Sequence, residues 1–319
     1  MIAFLACVER GPLEPKTVLL CRSIRTFAGR FRNAPIHTFR PRAGPEIGDD
    51  TRASLTALGV THHDDVLNTE FSDYPEGNKV FVSAHAERTL REDVLVFLDS
   101  DTIFVAEPAD LDLPDSFDAA VRPAYSRDLN SYGHGDSRDG YWSRVLQFLR
   151  VDREPYVTNE FSETVRAYFS SGLIAARREA GLFGRWQSDF LTLARAGLLP
   201  TPSGIKRLDE IALACTMSRV FERVRLLDGR YNYLIYYRSR LPAPWGDIPL
   251  EGLIHVHYRY WFNRPHFLRD LRPPLDPLSP VARWLDAYLP LEPHRTQTPM
   301  FPFEEPDLAS PWTPASHTS

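Results

Sequence analysis

The chain has 319 residues, 43% of them hydrophobic and 12% aromatic, which is enough for one large or two ordinary globular domains with a sizeable core. A formal charge of -5 leaves no basic footprint and excludes nucleic acid as the main partner. Cys7, Cys21 and Cys215 form no CxxC pair and lie in apolar segments, which fits buried thiols in a reducing cytoplasm better than disulfides or zinc; no apolar run reaches membrane length, so at most peripheral membrane attachment is expected.

"IAFLACV" is a continuous apolar run, the pattern of a strand covered on both faces. Leu20, Ile24, Phe27 and Phe31 then put one apolar stripe on a helix, with Pro15 suited to its first turn. "PIHTFRP" predicts a second strand, "DDTRASLTALGV" a helix stopped by Gly59, and "HDDVLN" a short third strand. "NKVFVSAHAERTL" predicts a helix and "DVLVFLDSD" the next strand. This alternation is that of an α/β unit around a mainly parallel sheet.

The stretch from Tyr125 to Gly140 is rich in Ser, Asp and Gly and predicts a mobile surface loop able to close over a ligand. "AYFSSGLIAAR" returns to strand character. "GLFGRWQSDFLTLARAGLL" and "LDEIALACTMSRV" predict helices, whereas "GRYNYLIYYRSRL" and "GLIHVHYRYWF" predict strands. Eleven of the 27 prolines fall after Arg272, so residues 1–272 are expected to form one domain and 273–319 a Pro-rich extension. A short helix at "PVARWLDAYL" and a loosely held tail from Glu292 are expected within that extension.

The chemistry concentrates in "VLVFLDSDTIFV". Asp99 and Asp101, at i and i+2 of an extended segment, point to one side, and a slight bend brings both onto one hard cation. Ligands of open α/β sheets bind beyond the carboxyl ends of the strands, where this pair lies. Asp110 and Asp112 repeat the spacing, but in a loop-like context. Strand-end solvation or helix capping is the plain alternative.

"VLVFLDSDTIFVAEP" resembles the Asp-x-Asp segment of GT-A fold nucleotide-sugar glycosyltransferases. "YFSSGLIAARR" is similar to their Phe-Asn-Ser-Gly strand, "RLDEIALA" to their Asp-Gln helix start and "GLIHVHY" to their late Ile-Ile-His segment. The order agrees over roughly residues 1–265. The likeness is distant and greatest to the glycogenin and lipopolysaccharide galactosyltransferase group. It implies a GT-A-like single α/β domain with a mainly parallel central sheet flanked by helices. The implied activity is metal-dependent transfer from a nucleoside diphosphate sugar to a carbohydrate, lipid or protein acceptor.

Carried over residue by residue, Asp99 and Asp101 would bind Mn2+ or Mg2+ with His255 or His257, which share a strand face and cannot be separated from sequence. The nucleotide-sugar contacts implied are Cys7 and Val8 through the backbone, together with Lys79, Ser100, Ser170, Ser171 and Gly172. A solvated lysine and a bulged strand end are the structural alternatives for Lys79 and for Ser170 to Gly172. Asp209 would bond the donor sugar, and Glu210 would lie beside the anomeric carbon as nucleophile or general base, although capping alone would explain Asp209. The retaining group has glutamine where Glu210 stands, so the stereochemical outcome stays open. That group also follows its histidine with Gly and Lys-Pro-Trp, whereas "YRYWFNRPHF" offers Arg259 or Arg264 for the diphosphate. Tyr141, Trp142, Trp245, Tyr260 and Trp261 could stack on sugars, with core packing as the alternative. A haloacid-dehalogenase-like phosphatase, which also uses paired aspartates at a strand end, and a catalytically silent nucleotide-sugar or partner-binding relative are the rival readings.

Overall fold

The computed structural model describes residues 1–125, 129–200 and 205–291. Its elements begin with β1 (Ile2–Cys7), α1 (Leu13–Phe27), β2 (Ile36–Phe39), α2 (Asp49–Ala57), β3 (Val60–His63), α3 (Asn78–Thr89), β4 (Val94–Leu98), β5 (Thr102–Phe104) and β6 (Ala119–Pro123). There follow α4 (Asp139–Leu149), β7 (Tyr156–Thr158), β8 (Thr164–Arg166), β9 (Phe169–Arg177), α5 (Leu182–Arg195) and α6 (Leu208–Ser218). The last are β10 (Val224–Leu226), β11 (Tyr233–Leu234), β12 (His255–His257), α7 (Phe267–Asp270) and α8 (Pro280–Asp286).

A seven-stranded sheet runs β10-β6-β9-β4-β1-β2-β3. It is a mainly parallel α/β sheet, in which β9 alone among its strands runs antiparallel to its neighbours, β4 and β6. Side chains alternate across a strand, so a strand buried on both faces needs apolar residues at every position. In β1, Phe4 and Ala6 pack with Leu20 and Ile24 of α1, whereas Ala3 and Leu5 pack on the opposite side with Val82 of α3 and Trp186 of α5. Helices therefore cover both faces, and each fully buried Leu or Phe contributes roughly 1.5–3 kcal/mol of burial.

The chain leaves β1 toward β2 and β3 and later returns to lay β4 on the other side of β1. Open α/β sheets hold their ligands at such a reversal, beyond the carboxyl ends of the strands, here those of β1 and β4. A second, three-stranded sheet, β11-β12-β5, stands over this edge. A third hydrophobic cluster fills it: Ile103, Val256, Tyr258, Phe262 and Phe267 pack with Val281 and Leu285 of α8.

Several expectations are corrected. The third strand is Val60–His63 rather than "HDDVLN", because Gly59, at φ 64°, ends α2 and the chain pairs with β2 at once. "GRYNYLIYYRSRL" forms only the two-residue β11 and then a 3-10 turn over Ile235–Arg240, and "GLIHVHYRYWF" is a strand only at β12. Their aromatic residues pack into the third cluster, where apolar content carries no strand geometry. The supposed loop ends in α4, and Asn130 and Ser131 within it are buried. Residues 126–128, and the tail expected from Glu292, lie outside the described residues. Among the described residues no helix is long and apolar enough to cross a membrane.

Candidate active site at the sheet edge

β4 ends where Asp99 N donates to Gly172 O of β9 at 3.0 Å. The chain then turns sharply, with Thr102 Oγ1 donating to Asp99 O at 2.6 Å, and enters β5. β5 pairs antiparallel with β12, so that His257 faces Thr102, and Tyr258 N donates to Asp101 O at 3.0 Å. This register carries His257 to the aspartates: ligand atoms of Asp99, Asp101 and His257 all lie within 4.8 Å of one another.

The histidine has a defined orientation. Asn232 Nδ2 donates to Ser170 Oγ at 2.8 Å, and its Oδ1 lies 3.1 Å from His257 Nδ1, which makes Nδ1 the protonated nitrogen. The other nitrogen, Nε2, lies 3.1 Å from Asp101 Oδ1. Two lone pairs repel at that distance unless a proton or a cation lies between them. About 3 Å also separates neighbouring ligands of an octahedral ion bound at about 2.1 Å. Two carboxylates and one imidazole suit Mn2+ or Mg2+ in hardness, so the residues present fit such an ion. Burial opposes ionisation of Asp101, but His257, then Lys16 at 3.8 Å and Arg259 hold its carboxyl well below the usual carboxylate range.

His255 is not part of this cluster. It is fully buried against Phe104, with ring centroids 4.7 Å apart, and among the described residues neither of its ring nitrogens has a hydrogen-bond partner. Burial, and then His257, keep it neutral by lowering its pKa well below the ordinary value. Of the two histidines, the geometry brings only His257 to the aspartates.

Lys79, in the first turn of α3, approaches Asp99 Oδ1 at 2.7 Å and donates to Ser171 Oγ at 3.0 Å. Ser171 Oγ donates in turn to Asp209 Oδ2 at 2.9 Å, and Tyr74 OH donates to Asp209 Oδ1 at 2.5 Å. Asp209 also anchors the start of α6 through its carbonyl, which accepts from Trp186 Nε1 at 2.8 Å. Glu210 accepts a hydrogen bond from Tyr168 OH, and its Oε2 lies 3.7 Å from Arg207. Burial, and then Asp209, raise the Glu210 pKa. Gly172 leaves room for this arrangement: a Cβ there would lie 2.8 Å from Asn232 Oδ1 and 3.0 Å from His257 Nδ1.

The other expected contacts fare unevenly. Ser100 Oγ donates to Cys7 O, which also accepts from Thr17 Oγ1 at 3.1 Å, and Val8 N donates to Phe39 O at 2.8 Å. The Ser100 bond ties the aspartate turn to the end of β1. Arg264 is exposed and lies over the Trp261 ring at 4.3 Å. Arg259, held at φ 51°, lies 4.3 Å over Tyr236, which meets His257 edge-on at 6.5 Å. Trp142 is a core residue, 1% exposed, and donates to Leu129 O. Tyr74, Tyr168, Trp186 and Asn232 were missed from sequence. Each acts across at least 23 positions, and nothing local marks them.

The family described as "Rhodobacterales glycosyltransferase domain" matches residues 4–220. No curated protein matches the chain. Among solved structures, galactosyltransferase LgtC in complex with donor and acceptor sugar analogs is 13% identical, with a TM-score of 0.52 over 94% of this chain and 98% of that one. The glycosyltransferase GlyE of Streptococcus pneumoniae TIGR4 is 15% identical, with a TM-score of 0.51 over 91% of this chain and 60% of that one. The chain spans about half, 51%, of the bifunctional glycosyltransferase WbbM, at 12% identity and a TM-score of 0.48 over 90% of this chain. At such identities the likeness to LgtC and GlyE is one of GT-A fold.

Proposed function

This chain belongs to the Rhodobacterales glycosyltransferase domain family, and from that premise we propose that it transfers a sugar from a nucleoside diphosphate sugar with the help of a divalent cation. One observation supports the finer part of this reading: ligand atoms of Asp99, Asp101 and His257 converge just past the carboxyl end of β4, beside the β1/β4 reversal. These three residues would hold Mn2+ or Mg2+; when bound, the ion neutralises the diphosphate and favours its departure as a leaving group. Lys79 would meet phosphate oxygens, a role its closeness to Asp99 supports, and the action of Arg259's charge on Asp101 favours Arg259 over Arg264 for the same part. Asp209, buried and oriented by Tyr74 and Ser171, suits donor-sugar hydroxyls.

Glu210 supplies the carboxylate for the reacting centre. With its pKa raised by burial and by Asp209, it is suited to take the acceptor's proton as a general base; in the second role it attacks the anomeric carbon. The two roles differ in the anomeric configuration of the product, which NMR of that product reads directly. The phosphatase reading has no support: the aspartate pair ends the fourth strand of a sheet whose family is that of glycosyltransferases. The acceptor is a carbohydrate, lipid or protein hydroxyl.

The test is a panel of nucleoside diphosphate sugars incubated with the protein in Mn2+ or in EDTA, with release of nucleoside diphosphate as the readout. The reading expects at least one donor to be consumed in Mn2+ and not in EDTA. Equal turnover in EDTA would refute the cation's part, and donor binding with no consumption would make the chain a silent relative.

A further inference from the structure

Lys79 brings a positive charge against the divalent-cation site. Its ammonium lies 2.7 Å from Asp99 Oδ1 and 3.0 Å from Asp99 Oδ2, so both carboxylate oxygens already face a positive charge. Its bond to Ser171 Oγ, and from there to Asp209, fixes the ammonium from a second side. The side chain is only 10% exposed, so it cannot swing freely into water.

Like charges repel in inverse proportion to their distance, and a partly buried site screens them less than water does. A divalent ion on Asp99 would share that carboxylate with the ammonium, and its double charge doubles the repulsion. Asp99 and Asp101 carry two negative charges against three on the ion and the ammonium; Asp209, which acts on Lys79 across Ser171, supplies a third, but Lys16, 3.8 Å from Asp101 Oδ2, and Arg259 add positive charge again, so the cluster stays net positive until an anion joins it.

The geometry points to Lys79 as a resident counter-ion that holds the Asp99 seat against the bare divalent cation and yields it when the cation arrives with a diphosphate. The diphosphate brings the missing negative charge and gives the Lys79 ammonium new acceptors while Ser171 still holds it. Binding is then ordered, with cation and nucleotide each strengthening the other. This inference rests on the reading of Asp99, Asp101 and His257 as cation ligands and adds the positioning residue that couples cation to nucleotide.

The test measures Mn2+ binding from the free-ion EPR signal for wild type, Lys79→Met and Lys79→Arg, alone and with UDP, GDP, ADP or CDP. Lys79→Met is expected to bind Mn2+ alone about tenfold or more tighter than wild type, and Lys79→Arg is not. In Lys79→Met the strengthening of Mn2+ binding by the best nucleotide should shrink by a similar factor. Melting temperatures check folding, and Lys79→Gln, read in the same way, replaces Lys79→Met if the latter does not fold. Bare Mn2+ binding that is equal to or weaker than wild type in the uncharged variant overturns the inference, while wild-type binding of Mn2+ with a nucleotide leaves the site's reading standing. No Mn2+ binding by wild type under any of these conditions overturns the reading of the site and this inference with it.

Discussion

Asp101 Oδ1 and His257 Nε2 face each other across 3.1 Å because Asn232 fixes which ring nitrogen carries the proton. Partners of this kind, one step behind a ligand, typically contribute 10–100-fold to metal affinity. Asn232→Ala should therefore weaken Mn2+ binding by roughly that factor in a titration, with the fold intact. Glu210 carries a second residue-scale prediction. Burial and Asp209 raise its pKa, whereas the Tyr168 hydroxyl, by donating to the carboxylate, favours the charged form and lowers it. Tyr168→Phe keeps the ring and removes that donor, so the pKa rises further. The acidic limb of the kcat/KM profile should then move to higher pH, and an unmoved limb would show that Glu210 is not the titrating base. The two histidines show how far sequence reaches at this scale. Their spacing put both on one strand face, and only packing separates them: Phe104 encloses His255, while Thr102, opposite His257, stands next to Asp101.

At the scale of elements, the site depends on β9 and β12 approaching closely behind the aspartates, and Gly172 is where they nearly touch. Gly172→Ala would force a Cβ to within 2.8 Å of Asn232 Oδ1, which itself bonds His257. Overpacking of this sort costs about 1–3 kcal/mol. The expected outcome is a modest loss in denaturant midpoint together with a larger loss of Mn2+ affinity, because the displaced groups are those that orient the ligand. Elements with strict periodicity were legible: "VLVFL" became β4 and the stripe of Leu20 and Ile24 became α1. The 3-10 turn over Ile235–Arg240 was not, since its tyrosines satisfy strand preference and are held by long-range packing with Tyr125 and Arg259. Strand β6 was missed for the opposite reason: "AAVRP" is short and weakly patterned, and it is held as a strand by β9 and β10.

At the scale of the whole molecule, residues 273–291 behave as part of the fold around the site. Val281 and Leu285 of α8 are buried beside Phe262 and Phe267, which follow the His257 strand in the chain. Leu285→Ala should cost about 2–5 kcal/mol in denaturant unfolding, the range for a leucine truncated in a packed core. A domain ending at residue 272 would lose that packing and should be less stable than the longer chain. Composition alone hid this, because prolines spaced along 273–291 mark both a loose tail and a short, well-packed cap.

The most direct test of the central claim is thermal unfolding of wild type and Asp101→Ala with UDP, GDP, ADP and CDP, each with and without Mn2+. Ligands selective for the native state raise its stability by mass action. The account predicts that at least one nucleotide raises the wild-type Tm only when Mn2+ is present, and that Asp101→Ala abolishes this increment. An Asp101→Ala protein that keeps the Mn2+-dependent increment would contradict it.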